Sequence, residues 1–452
     1  EPLYAGGLTI NGATHNVVFV ATEHDMVYAF DADTFAQLWS ANMLANYPGE
    51  TTVSTSDVGN CPQVYPELGI TSTPVIDLSA GPNGTIFVVA MSKDSGGNYH
   101  QRLHALDLTT GADRMTPAEI QATYPNASGT TTFDPHQYEE RAALLALNGA
   151  IYTTWTSHCD NPPYTGWVMG YSESNLQQIS VLNLTPNGSD GAIWMAGDGP
   201  AADSSGNIYL LTGNGTFDTS LNANGFPQNG DYGNSFVKLS TAGNSLSVAD
   251  YFSMSNTVSE SAGDQDFGSG GVLLLPQLSN GGTTYNLAVG AGKDGNMYVV
   301  NRDNMGKFNS SNDNAIYQQL NGALPGGMWS APAYFNNSLY YGPSNHPLVA
   351  FPISNAKVAS SPSSQSSATF GYPGTTPSIS SDGTANGIVW AIQNGNTTGT
   401  LHAYDATDLS NQLFGATFPT NSADKFVTPL IANGKVYVGT PNAVVVFGLL
   451  GP

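Results

Sequence analysis

Six short polar stretches hold most of the side chains that could do chemistry. They are Glu23-His24-Asp25, Lys93-Asp94, His158-Cys159-Asp160, Asn214–Asp218, Lys293-Asp294 and Asn345-His346. A carboxylate beside an ammonium group can work as a base with an electrostatic partner. In a chain with 11 Lys plus Arg, two Lys-Asp pairs form a pattern. A structural reading competes with it. An Asp in a tight turn accepts bonds from its own backbone amides, and a Lys-Asp pair can tie neighbouring elements together. A nucleophile made from Cys159 and His158 is disfavoured, because adjacent residues on a strand or turn point apart. Asp198, Asp203, Asp218, Asp231, Asp264 and Asp266 lie in Gly/Asn-rich loops. Their hard oxygens suit Ca²⁺, but no segment has EF-hand spacing. GxSxG, Walker A and HExxH are all absent from the sequence.

Composition narrows the partners. The formal charge is −23 and the pI near 4.3. That field repels nucleic-acid phosphates and anionic membranes. No apolar run approaches the ~18 residues of a membrane span. Charged residues make up only 10% of the 452, while Gly numbers 51. This is the composition of a turn-rich, all-β protein with a neutral polar surface. Two cysteines, Cys61 and Cys159, have neither zinc nor c-type haem spacing. Lysine depletion and Asn/Ser/Thr richness fit an extracellular or periplasmic protein. If the chain is exported, Glu1 lies after a cleavage point.

The elements that must position these residues repeat. A short strand carrying a Pro leads through a polar turn to an apolar strand. This happens at Pro2, Pro74, Pro200, Pro332, Pro377 and Pro429, and without the Pro at Arg141–Asn148 and Gly270–Pro276. A second signal follows it. Ala29-x-Asp31-x-x-Thr34, closing on Trp39, returns as Ala105-x-Asp107-x-x-Thr110-Gly111, closing on Met115, and more loosely at Ala403-Tyr-Asp405. About eight units of roughly 45–80 residues result, each with room for four antiparallel strands A to D. They predict a single eight-bladed β-propeller over 1–452. Its blades span roughly 1–45, 67–124, 138–184, 191–254, 267–322, 327–372, 375–418 and 426–450. The last unit ends in the apolar run Val444–Leu450, which gives it strands A, B and C but no D. Either a segment upstream of Glu1 completes that blade, or its open edge accepts a strand from another chain.

In a propeller the B–C turns and D–A connections share one face. Glu23, His24, Asp25, Lys93, Asp94, His158, Asp160, Asp218, Lys293, Asp294 and His346 fall there, as do the long connections 46–69, 124–138, 213–233 and 255–268. Long connections without structure of their own are often binding or lid elements. Trp329, at the start of an A strand, is the tryptophan best placed to approach the axis. Cys61 and Cys159 fall on the same face in neighbouring blades, so a disulfide that pins the connection 46–69 is expected, with two free thiols as the alternative.

The Ala29–Trp39 and Ala105–Met115 repeat resembles that of quinoprotein dehydrogenases, whose eight-bladed propeller carries pyrroloquinoline quinone (PQQ) on its axis. The whole chain is similar to secreted bacterial PQQ-like repeat propellers, through segments such as Gly69–Asp77, Ala90–Asp94, Pro163–Trp167 and Asn301–Lys307. The resemblance implies fold more than function. It would bring PQQ, Ca²⁺, a Glu/Asn/Asp set around the ion, a catalytic Asp and a vicinal disulfide. Cys61 and Cys159 are far apart in sequence, and the other elements have no evident match. The leading expectation is an exported binding or scaffold propeller, with itself as a partner through the last blade, in a homo-oligomer or filament. The alternative is a PQQ-dependent alcohol or sugar dehydrogenase with Asp94, Asp294 or Glu23 as base and Lys93 or Lys293 beside it. A small molecule or a glycan is a further partner class, and a polysaccharide-acting enzyme a third function.

Overall fold

The structure is a computed structural model that describes residues 1–420 and 425–448. Its sheets form an eight-bladed β-propeller. Blade 1 pairs Leu3–Ile10, Ala13–Ala21, Met26–Asp31 and Gln37–Asn42 in chain order, all antiparallel. Six further blades repeat this A-B-C-D order, with B strands at Thr85–Lys93, Ala150–Ser157, Asn207–Leu211, Leu287–Ala291, Ser338–Tyr341 and Ala385–Gln393. Among the described residues the eighth has three strands, Leu430–Ala432, Lys435–Thr440 and Ala443–Gly448. The last two residues of the run Val444–Leu450 lie outside the described residues.

The repeated Asp has a local job. Asp31 accepts the backbone N–H groups of Asp33 (2.9 Å) and Thr34 (2.6 Å). Asp107 accepts that of Thr109 (2.9 Å), and Asp405 that of Thr407 (2.8 Å). Each closes the turn that leaves strand C, with the carboxylate standing in for a backbone acceptor. The small residue two positions earlier, Ala29, Ala105 or Ala403, is buried within the blade stack. Trp39 then docks on the next blade. Its indole N–H donates to the Leu108 carbonyl (3.0 Å), and its ring lies where a Cβ on Gly111 would sit. Gly111 has φ +71°, so glycine is required there on both counts.

Apolar seams fill every blade-to-blade contact. The ring closes where Tyr437 of blade 8 meets Val18 and Ala32 of blade 1. Beside that seam Asp33 accepts from Asn16 (2.9 Å), Asn433 (2.8 Å) and Lys435 (3.0 Å). Asp33 is half exposed, and exposed ion pairs are worth about 0–1 kcal/mol. Asp33→Ala is therefore expected to lower unfolding free energy by less than about 1 kcal/mol in urea titrations. A loss above ~2 kcal/mol would mean that polar contacts, and not the seam, hold the ring shut.

Three of the four long connections carry secondary structure of their own. In 46–69, Val53–Ser54 pairs with Glu67–Leu68. The segment 124–138 holds most of a hairpin, Thr123–Asn126 with Gly129–Thr132. The segment 255–268 holds the helix Thr257–Ala262. Blade 4 also gains a strand from its neighbour, Lys307–Phe308, which pairs in parallel with Ser247–Ser253.

Candidate functional site

The innermost strand of blade 3 is broken. Tyr138–Glu140 and Leu145–Leu147 both pair with Ala150–Ser157, and Arg141–Leu144 forms the gap. The gap is held from both sides. Ala143 N–H donates to the Asp198 carbonyl (2.9 Å), and Leu144 N–H to the Thr73 carbonyl (3.1 Å). The break leaves Arg141 on the axis, where its guanidinium lies 5.0 Å from the ring centre of Phe426 in the connection into blade 8. Gly197 approaches the axis from the connection into blade 4. A Cβ there would stand 3.1 Å from Thr376 and 3.3 Å from the Phe426 carbonyl, and Thr428 donates its hydroxyl to the Gly197 carbonyl at 3.4 Å. Blades on opposite sides of the ring thus touch and close the axis.

Above this contact is a cavity of about 100 Å³. It is lined by Gln63, Arg141, Asp160, Trp194, Ala196, Asp266, Ser269, Lys293, Trp329, Tyr372, Lys425 and Phe426. Four of these, Asp160, Asp266, Lys293 and Trp329, are among the residues singled out from sequence. The rest come mostly from D–A connections.

The cavity's charges are unequally satisfied. Lys293 is paired with Asp264 and Asp266, both at 2.6 Å. Asp266 also accepts the Asn214 N–H (2.6 Å). Burial pushes the Asp160 carboxyl up, and one of its oxygens accepts the Tyr164 hydroxyl (2.9 Å). Arg141 donates to Gln63 (2.8 Å) and lies 3.9 Å from Glu139. Lys425 has no carboxylate within 4.0 Å among the described residues; it sits over the Tyr372 ring at 5.0 Å. Trp329 meets Tyr372 edge-on, with centroids 5.3 Å apart.

The other sequence candidates do structural work around this face. Glu23 accepts from Gly69 N–H (2.9 Å) and the Thr71 hydroxyl (3.0 Å), which ties blade 1 to the connection into blade 2; burial pushes its carboxyl up to about 7. His24 contacts Glu67 (2.8 Å) with an exposed ring. Asp25 is fully buried, with neither carboxyl oxygen partnered. Lys93 does not pair with its neighbour Asp94; it reaches Asp57 (2.7 Å) in the connection 46–69. Asp94 accepts the Asn98 backbone (2.8 Å) and side-chain (2.8 Å) N–H groups. Asp294 likewise accepts from Asn296 (3.1 and 2.8 Å) and the Tyr298 hydroxyl (2.6 Å). Asp218 accepts Ser220 (3.0 Å) and Asn229 (2.7 Å) N–H groups within its own loop. His158 is buried 3.4 Å from Glu139. His346 opens strand C of blade 6, with its ring against Gly326. The adjacent Lys-Asp pairs are thus not base-and-partner units, and neither Asp94 nor Asp294 lines the cavity.

Cys61 and Cys159 are joined in a disulfide that spans 98 residues. It stands beside the cavity, since Gln63 and Asp160 both line the wall.

These residues do not fit a calcium-held quinone. The disulfide is not vicinal. Among the described residues no group of three His, Cys, Asp or Glu side chains is placed to hold a metal. The two cavity carboxylates already have partners, Asp160 in the Tyr164 hydroxyl and Asp266 in Lys293.

No family model matches the chain, and no curated protein does. Solved structures do. A quinohemoprotein alcohol dehydrogenase, ADHIIG from Pseudomonas putida HK5, superposes with TM-score 0.59 at 14% identity over 97% of this chain and 68% of its own. The quinohemoprotein alcohol dehydrogenase of Comamonas testosteroni gives 0.57 at 14% identity, over 96% and 70%. BamB from Moraxella catarrhalis gives 0.55 at 12% identity, over 99% and 97%. The chain therefore has the PQQ-like repeat propeller fold that an alcohol dehydrogenase and BamB share, and at these identities the likeness is one of fold.

Proposed function

We propose that this chain is a binding propeller of an extracellular or periplasmic compartment, with its ligand held in the axial cavity, and not a PQQ-dependent oxidoreductase. The observation that carries the reading is the state of the cavity's side chains. Lys425 and the indole N–H groups of Trp194 and Trp329 have no hydrogen-bond partner among the described residues, while its carboxylates are engaged. The site is rich in free donors and aromatic surface but lacks a base beside a nucleophile. The disulfide fits an oxidising compartment. Adding PQQ and Ca²⁺ to the full chain and recording absorbance tests the reading. The expected result is no quinone band and no dye reduction with alcohols or sugars. A saturable band with dye reduction overturns it.

The outer edge of blade 8, unpaired among the described residues, supports a second role. Strand Ala443–Gly448 pairs only with Lys435–Thr440 among the described residues. Beside it Phe447 meets Phe414 at 6.1 Å, and Leu413 and Phe414 are 50% and 41% exposed. An unpaired edge flanked by apolar rings favours an added strand. Sedimentation at rising concentration distinguishes the donor. Growth beyond one chain's mass, or filaments, indicates a second copy. A monomer throughout removes self-association.

A further inference from the structure

We propose that the outer edge of blade 8 is a slot for one extended, uncharged peptide segment of another protein, with a large apolar side chain that caps Phe35. The proposal rests on the added-strand reading above and names the donor.

The slot has a second wall, on blade 1. Blade 1 leaves strand C through a turn in which Phe35 N–H donates to the Asp31 carbonyl (2.8 Å), and blade 2 repeats it with Gly111 N–H on the Asp107 carbonyl (2.8 Å). Both residues have positive φ, +63° and +71°. In blade 2 this position faces the preceding blade, whose outer strand covers it with the Trp39 ring. Leu176 holds the same place in blade 3, with φ +56°, and is 2% exposed in a cluster with Ile120 and Ala122 of blade 2. Phe35 is 54% exposed. It carries a large ring at a backbone angle that favours glycine, and water is left on one side of it. The strand beside it agrees. Tyr28 and Phe30 stack with centroids 6.0 Å apart and are half-buried, whereas their counterparts in blade 2, His104 and Leu106, are buried. What blades 2 and 3 receive from the outer strand of the blade before them, blade 1 lacks among the described residues.

The walls set the chemistry of the occupant. The edge strand Ala443–Gly448 sends Val445 and Phe447 towards blade 7 and Val444 and Val446 towards blade 1. A strand added beside it alternates in the same way. It meets Phe414 on one side and Tyr28, Phe30 and Phe35 on the other. Asp33 and Lys435, at the same seam, are already paired with each other. The occupant is therefore uncharged, as the outer strands Gln37–Asn42 and Gln178–Asn183 are, and carries apolar side chains on both faces. It has no proline where it must donate to the edge.

The depth of the slot sets the source. Blades 7 and 1 both have a fourth strand, Asp408–Pro419 and Gln37–Asn42. The edge of blade 8 thus lies one strand spacing, ~4.8 Å, inside their rims. A second propeller presenting its own blade 8 brings flanking rims with it, and these collide before the two edges pair. A single extended segment enters freely. Once seated, it continues outward the ring-closing seam of Tyr437, Val18 and Ala32.

The test uses the full chain and a blocked peptide copying Ala36–Met43, which holds an outer strand with its Trp39. A control peptide carries Leu38→Ser and Trp39→Ser. Calorimetry and amide exchange follow binding. The first peptide is expected to bind saturably, about tenfold or more tighter than the control, and to slow exchange chiefly in Ala443–Gly448. Phe35→Gly removes the ring and relaxes the turn, so it should keep the melting temperature and lose about tenfold in peptide affinity. Equal binding of the two peptides, or unchanged binding by Phe35→Gly, overturns the proposal and leaves an added strand of other chemistry. Growth beyond one chain's mass, with exchange in Ala443–Gly448 slowing as concentration rises, also overturns it and makes a second copy the donor. If neither peptide binds, the proposal falls; if exchange at this edge is also already slow in the free monomer, the added-strand reading falls with it.

Discussion

Replacing Asp25 with asparagine raises the stability of the fold at pH 8 and changes it little below about pH 4. Asp25 follows Glu23 in the first B–C turn and is 0% exposed, and both carboxyl oxygens lack a partner. Burial pushes its pKa up to about 9, with the Glu23 and Glu67 carboxylates adding to the rise. In the unfolded chain an aspartate titrates near ~3.9. Between those values the native state holds a proton that the unfolded state has released. Stability is then fully present below the unfolded pKa and lost as pH rises towards the folded one, by about 1.4 kcal/mol per pH unit for each such proton. Asparagine keeps the shape of the neutral acid and accepts the backbone, since φ at this position is +52°. Its amide is as unpartnered as the carboxyl, so the gain at pH 8 is set at about 2–4 kcal/mol, below the full linkage value. Urea unfolding of both proteins at pH 5 and pH 8 measures it. Identical pH slopes would sink the idea. Some slope must survive in the variant, because burial also pushes Glu140 up to about 8 and Asp198 and Glu23 up to about 7.

Asp25 also shows how far the sequence could be read. The strands on either side of it were legible, because Val17–Ala21 and Met26–Asp31 have β composition around a polar turn. The turn's placement on the face of the B–C turns followed from the repeat. Its chemistry did not follow, because whether a turn carboxylate faces water or the interior depends on Gly69, a neighbour 44 residues away whose absent Cβ leaves room for the carboxyl. The Lys-Asp pairs misled for a related reason. Adjacent residues diverge, and Lys93 found its partner at Asp57, 36 residues back, while Asp94 and Asp294 satisfied their own turns. Trp194, Tyr372 and Phe426 went unseen as cavity residues because they lie in the connections between repeats, and Arg141 because the strand it opens reads as unbroken; only closure of the ring brings residues 285 apart, such as Arg141 and Phe426, into contact. One signal was available: Arg141 is one of 11 basic residues, and it stands where the innermost strand lacks the usual Pro.

Removing the disulfide should both loosen the fold and weaken the cavity. Cys61 and Cys159 close a loop of 98 residues, and in the chain-entropy model such a crosslink is worth about 4.7 kcal/mol. With an unfolding entropy of ~2.1 cal/mol/K per residue, that is roughly 5 °C in the melting temperature of a chain this long. The connection 46–69 is held firmly at its ends, where Glu50 pairs with Arg102 (2.6 and 3.0 Å), Thr51 and Lys93 exchange backbone bonds (3.0 and 2.9 Å) and Gly69 N–H donates to Glu23 (2.9 Å); its middle, which carries Cys61, has less. Its internal strand pair is two residues long, and its apolar cluster of Val53, Val58, Cys61, Leu68 and Met91 includes one of the bridged cysteines. Lys93–Asp57 at 2.7 Å is a partly exposed pair and contributes at most about 1 kcal/mol. The loss therefore falls on this connection, and Gln63 goes with it. Gln63 accepts from Arg141 at 2.8 Å, while Asp160, next to Cys159, forms another part of the wall. In the Cys61→Ala/Cys159→Ala double variant, amide exchange should speed up most in the middle of 46–69, and with it at Gln63 and Asp160 on the cavity wall. If exchange there stays slow and the melting temperature does not move, the connection is held by its own packing, and the crosslink is incidental to the architecture of the site.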